Sequence, residues 1–138
     1  MPAMSTEELQ AFLLAAFPDN PPTTIVEDVA DTGVRLRLPV TAANSRPGGT
    51  VSGPSLMALA DSAAWLSVLA QIGPVALAVT TSLHIDFLRK PALVDVIAQG
   101  RLLKLGRRLA VTEVGIWSEA SPDDLVAKAQ VTYSIPPA

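Results

Sequence analysis

The feature that most constrains this chain runs from Arg46 to Gln71. A glycine-rich turn, Pro47-Gly48-Gly49-Thr50, feeds a segment that is apolar almost all round when wound as a helix. Pro54 suits the first turn of that helix and Gly73-Pro74 stops it, so the expected helix starts near Pro54 and ends near Gln71. Leu56, Met57, Leu59, Ala60, Ala63, Ala64, Trp65, Leu66, Val68 and Leu69 cover most of its circumference. Such a helix has to be wrapped by protein. It carries one carboxylate, Asp61, the only formally charged side chain between Arg46 and Asp86. A lone carboxylate on a buried helix is costly unless something satisfies or uses it. The helix N-terminus offers free backbone N–H groups to an anion. The pair supplies an acid/base or nucleophile and an oxyanion donor, the parts that acyl transfer needs.

The chain has 138 residues, is 49% apolar and only 17% charged, and its mean hydropathy is +0.38. That is long enough for one core, so residues 1–138 read as one domain. The apolar surplus points to an obligate homo-oligomer. Membrane insertion is not expected, because Asp61, Gln71 and Gly73-Pro74 interrupt the run from Leu56 to Val79. Glu7 and Glu8 stand where a signal peptide would carry a basic region. With no cysteine there is no disulfide and no thiolate, which fits a cytoplasmic protein. With a single histidine, His84, no cluster of zinc ligands is expected, and with no Gly-x-Ser-x-Gly elbow no Ser-His-Asp triad is expected.

The net charge is −3, yet six of the ten basic residues fall between Arg89 and Arg108, opposed only by Asp95. Such a patch on an acidic protein reads either as a site for a small anionic ligand or as solvated strand edges. Nucleic acid is not expected, since aromatic residues make up only 4% of the chain.

Ser5-Thr6-Glu7-Glu8 forms a capping box before an N-terminal helix with Leu9, Phe12, Leu13 and Phe17 on one stripe. Strands are expected over 24–30 and 34–40, joined at Asp31-Thr32-Gly33, and then over 75–88, 94–105, 109–118 and 125–135. Lys90-Pro91, Gly106 and Ser121-Pro122-Asp123-Asp124 punctuate the later ones. No helical pattern separates them, so they are antiparallel neighbours. The fold class is α+β, a curved antiparallel sheet around one long helix with an additional N-terminal helix.

From Arg46 onward the chain resembles the hotdog-fold thioesterases of the phenylacetate-pathway (PaaI) type. Gly49-Thr50-Val51-Ser52-Gly53-Pro54 stands where that family has a Gly-x-x-His-Gly-Gly turn. Leu59-Ala60-Asp61 looks like its helix carboxylate. The segment from Val79 to Arg89 is similar to its Thr-x-x-Leu-x-Ile-x-Phe-Leu-Arg strand, and Leu105-Gly106-Arg107-Arg108 to its Gly-Arg turn. The resemblance implies acyl-coenzyme A hydrolysis at sites shared between subunits of a homodimer or homotetramer. Coenzyme A would be part of the substrate, with no metal and no other cofactor. Asp61 matches the catalytic carboxylate, as general base or nucleophile. Gly53 matches the glycine whose N–H polarises the carbonyl, and Thr80 a hydroxyl near the attacking water. Arg89, Lys90, Arg107 and Arg108 fall where coenzyme A is held.

Three positions depart from the family pattern: Ser52 replaces histidine, Pro54 replaces glycine and Arg46 stands where asparagine is common. Ser52 reads first as a helix cap and second as a substrate contact, and Arg46 as a charged donor or a cap of the turn. Met57 and Trp65, one turn either side of Asp61, are core residues or the lining of an acyl pocket. His84 alternates with Leu83 and Ile85 and is expected to point off the core. The alternative to an enzyme is a non-catalytic acyl-coenzyme A binding or sensing protein of the same fold.

Overall fold

The computed structural model describes residues 1–137. Helix α1 (Thr6–Ala16) is followed by β1 (Ile25–Ala30) and β2 (Gly33–Leu38). A short ribbon, β3 (Ser45–Arg46) and β4 (Thr50–Val51), leads into α2 (Gly53–Ile72). Strands β5 (Val79–Phe87), β6 (Val96–Leu105), β7 (Leu109–Ser118) and β8 (Ser121–Ser134) complete the chain. The main sheet has the order β1-β2-β6-β7-β8-β5, antiparallel at every step.

The capping box forms as expected. Glu8 N–H donates to Ser5 Oγ at 3.1 Å, and Ser5 N–H donates to Glu8 Oε1 at 3.0 Å. Leu9 and Leu13 then bury the inner face of α1. Gln10 ties this helix to the sheet edge, accepting from Val26 N–H at 2.7 Å and donating to the Thr24 carbonyl at 3.2 Å. The β1 edge is thereby covered by a side chain, whereas β5 has no strand on its outer side among the described residues. In β7 the burial alternates strictly: Ala110, Thr112, Val114, Ile116 and Ser118 face inward, as the two-residue period of a strand requires.

Helix α2 crosses this inner face. Its closest approach to the sheet is set by absent side chains. A Cβ on Gly100 would stand 2.3 Å from Ser67 Oγ, and one on Gly33 would stand 2.2 Å from the Gly100 carbonyl oxygen. Ser67, fully buried, accepts from Val34 N–H at 3.2 Å. Gly33 also has φ +156°, which disfavours a side chain. Gly33→Ala is expected to cost about 3 kcal/mol, because backbone must move to admit the methyl group. A fall in the urea midpoint measures this, and an unchanged midpoint would show that β2 and β6 do not approach this closely at Gly33.

Several expectations are corrected. Val75–Ala78 is a turn rather than strand, with Ala78 N–H donating to the Val75 carbonyl at 3.1 Å. The chain has to reverse after Gly73, and that need overrides the β-propensity of Val75. Ser121–Asp124 belongs to β8, and the reversal is confined to Glu119-Ala120 between the paired Ser118 and Ser121. The polarity of this segment reflects solvent exposure, not a turn. Helix α2 runs through Asp61 without a break and is long and apolar enough, by length and composition, to cross a membrane. Asp61 and Gln71 therefore do not interrupt it as expected, although more than half of its most apolar window is buried in the protein. Nor is it wrapped on all sides: Pro54, Met57 and Ala58 are exposed on an open face.

Candidate active site

Asp61 sits near the middle of α2, on the boundary between its buried and open faces. Two hydroxyl groups from neighbouring strands reach it. Thr80 at the start of β5 donates from Oγ1 to Asp61 Oδ1 at 2.7 Å. Tyr133 near the end of β8 donates to the same oxygen at 2.8 Å, and its hydroxyl lies 3.3 Å from the Asp61 carbonyl oxygen. Thr80 and Tyr133 are Cα partners in the β5–β8 ladder, so strand register sets both donors side by side. Among the described residues Oδ2 has no hydrogen-bond partner. Burial above all holds the Tyr133 phenol well above its ordinary range; the neighbouring Thr80 hydroxyl opposes this in part and the Asp61 charge adds to it. The phenol therefore stays protonated and serves as a donor.

The carboxylate opens into a cleft of about 750 Å³, within the range of small-molecule sites. Phe17, Pro21, Pro22, Trp65 and Ala78 supply its apolar wall, and Asp61, Thr80 and Tyr133 its reactive end. Trp65 is fixed by Phe12 and Phe17, with ring centroids 5.7 and 6.0 Å away. Trp65 thus lines the cleft, but Met57 does not; it lies on the exposed face of α2. A single helix turn separates each from Asp61, yet only one of the two directions along the helix faces the cleft.

Gly53 and Asp61 are not neighbours within one chain. Eight residues of helix separate them, about 12 Å along the axis. Gly53 lies instead at the Phe87 end of β5, where a Cβ on it would be 3.6 Å from the Phe87 ring. The expected pairing of N-terminal N–H and carboxylate fails inside a single copy. Ser52 is the N-cap: its Oγ accepts from Ser55 N–H at 3.3 Å and donates to Ser55 Oγ at 2.9 Å. Arg46 is exposed on the β3–β4 ribbon, away from the cleft lining. His84 is exposed and lies 3.1 Å from Asp86 Oδ2.

The basic cluster is also divided. Arg89 follows β5, with its N–H donating to the Val126 carbonyl, while Arg107 and Arg108 lie in the β6–β7 turn beside Ser134. Val126 and Ser134 stand roughly 25 Å apart along an extended strand. Arg101 pairs with Glu113 at 2.7 Å, and Asp95 is taken by Arg37 at 3.2 Å. Among the described residues Arg89, Lys90, Arg107 and Arg108 have no ion-pair partner. No group of three His, Cys, Asp or Glu side chains among those residues is placed to hold a metal ion.

The sequence pattern of the thioesterase superfamily matches residues 48–123, from the glycine turn through Asp61, Thr80 and the arginine turn. The chain belongs to the thioesterase superfamily. A Halobacterium salinarum protein provisionally named an esterase is 36% identical over 104 residues, 72% of this chain and 68% of that protein. A crystal structure of a provisionally named thioesterase from Silicibacter sp. TM1040 superposes with a TM-score of 0.91 at 43% identity, covering 99% of this chain and 95% of that one. A point mutant of the phenylacetic acid degradation protein PaaI from Thermus thermophilus is 31% identical with a TM-score of 0.71, over 82% of this chain and 93% of that one. The hotdog fold and the PaaI-type family read from the residues are therefore those of this chain, and the family's chemistry is thioester hydrolysis.

Two parts of the cleft escaped the sequence reading, and both lie outside the span matched by the superfamily pattern. Phe17, Pro21 and Pro22 had been a helix end and a linker, and only the fold carries them to the cleft. Tyr133 had a usable signal. It is the only tyrosine in the chain, and it falls in the same two-residue period as the buried Val131 and Ile135. A phenol on a core face needs a partner for its hydroxyl.

Proposed function

We propose that this protein hydrolyses acyl-coenzyme A thioesters at sites built from two copies of the chain. The observation that carries the reading is the Asp61 carboxylate, gripped by Thr80 and Tyr133 at the end of an apolar cleft. Asp61 acts on the thioester carbonyl carbon, either through a water whose proton it accepts or directly as the nucleophile. Attack makes a tetrahedral oxyanion. Its collapse breaks the C–S bond, and the coenzyme A sulfur leaves as the thiolate. In the direct route a water then opens the resulting anhydride.

The geometry of β5 supports the second copy. Among the described residues this edge strand is unpaired on its outer side, and Val79, Phe87 and Leu88 leave apolar surface exposed along it. Unprotected edges of this length are pairing sites. Two β5 edges paired antiparallel about their middle bring the Phe87 end of one against the Thr80 end of the other. The partner subunit's Gly53 then arrives beside Asp61, with its N–H and the positive end of α2 turned to the oxyanion. The same operation carries Arg89 and Lys90 of each copy toward the arginine turn of the other, which reunites the divided basic cluster for the phosphates of coenzyme A.

A panel of aliphatic and aromatic acyl-coenzyme A thioesters, read by release of free thiol, tests the reaction. Turnover of at least one is expected; binding of several with hydrolysis of none would make the protein an acyl-coenzyme A binder. Replacing Arg107 and Arg108 by alanine is expected to raise KM about tenfold with little change in kcat, because phosphate contacts hold ground state and transition state alike. An equal loss on a short thioester lacking the nucleotide would instead make the turn a structural element.

A further inference from the structure

Asp61 lines the cleft, and its Oδ1 accepts two hydrogen bonds, 2.7 Å from Thr80 and 2.8 Å from Tyr133, which leaves Oδ2 without a partner among the described residues. The two donors differ in kind. Thr80 is exposed and sits at the start of the edge strand, where one rotation about χ1 breaks its bond. Tyr133 is 5% exposed, its ring is locked among core residues, and it stands on β8 between two paired strands. A rigid phenol of this kind fixes a carboxylate in one rotamer more firmly than an exposed hydroxyl does.

We infer that Tyr133 is the positioning residue of the site: it clamps Oδ1 and thereby dedicates Oδ2 to the reacting carbon or water. This rests on the proposed role of Asp61. Tyr133 works through the carboxylate and has no task at the substrate itself. Besides Asp61 it is the only titratable group lining the cleft among the described residues, so no other charge on α1, β5 or β8 faces the carboxylate there.

The test is Tyr133→Phe, which removes one oxygen and keeps the ring. Expected is a kcat about tenfold lower with KM unchanged. The melting temperature, measured on the same sample, should stay close to wild type. In the Asp61→Asn background the same replacement should cost nothing more, since the two residues act as one unit. A wild-type kcat in Tyr133→Phe would overturn the inference, as would a further loss on top of Asp61→Asn. If Asp61→Asn is inactive while Tyr133→Phe is fully active, only the clamp is refuted. If Asp61→Asn keeps full activity, the proposed site falls and the clamp with it.

Discussion

Asp61→Asn is expected to lower kcat by about a hundredfold or more, the usual scale for losing the group that attacks or activates water. The amide is nearly isosteric with the carboxylate. Its Oδ1 can still accept from Thr80 and Tyr133, so the two hydrogen bonds that hold the side chain survive. What changes is the other atom. An NH₂ group replaces Oδ2, and it can neither take a proton from water nor attack a carbonyl. The helix no longer carries a charge at its buried edge, so the melting temperature should be unchanged or higher. The measurement is kcat on the best thioester of the panel, with a melting curve and a binding isotherm on the same preparation. A variant that binds, melts normally and turns over at the wild-type rate would make Asp61 a structural carboxylate and end the mechanism proposed above.

Which parts of this site could be read without coordinates follows from how local each signal is. Asp61 stood out because it is one charge in a long uncharged run, a property of the sequence itself. The capping box at Ser5 and Glu8, the reversal at Asp31-Thr32 and the strand over 109–118 are equally local, and they appear as expected. Turn and strand ends were less legible. Val75 has the side chain of a strand residue but sits in the reversal that follows Gly73, and the polar Ser121–Asp124 segment is paired strand at a solvent-exposed tip.

The largest errors concern distance. Arg89 and Arg107 are near in sequence and far apart in the sheet, because an antiparallel hairpin sends its turn and its open end to opposite edges. Gly53 and Asp61 share one helix, but a helix rises about 1.5 Å per residue, which puts eight residues beyond contact. The apolar surplus had a meaning that composition could only hint at. Exposed apolar side chains lie on the open face of α2, at Met57, and along β5, at Val79 and Phe87, with others at Leu77, Leu103, Leu105 and Leu109. Tyr133 shows the converse case, where register brings together residues remote in sequence. Thr80 and Tyr133 meet only because β5 pairs with β8.

The same separation of Gly53 from Asp61 makes a second strong effect available, in which two inactive proteins restore each other. Gly53→Pro removes the N–H proposed to face the oxyanion. The first turn of a helix accepts proline, Ser52 before it already has the extended backbone that proline demands, at φ −70° and ψ 150°, and the new ring carbon would meet Phe87 at ordinary contact distance. This variant is expected to fold and to lose most activity, as is Asp61→Asn. Mixing them equally, after a denaturation and refolding step that exchanges subunits, gives mixed pairs for about half of the dimers. In each mixed pair one site combines Asp61 from the Gly53→Pro chain with Gly53 from the Asp61→Asn chain and is intact, while the other carries both defects. One site in four is then whole, so about a quarter of wild-type activity should return. Sites contained within a single chain would stay broken in every combination. A mixture no more active than its two components, with subunit exchange verified by mass, would therefore place Gly53 outside the partner's site and leave the two-copy arrangement without support.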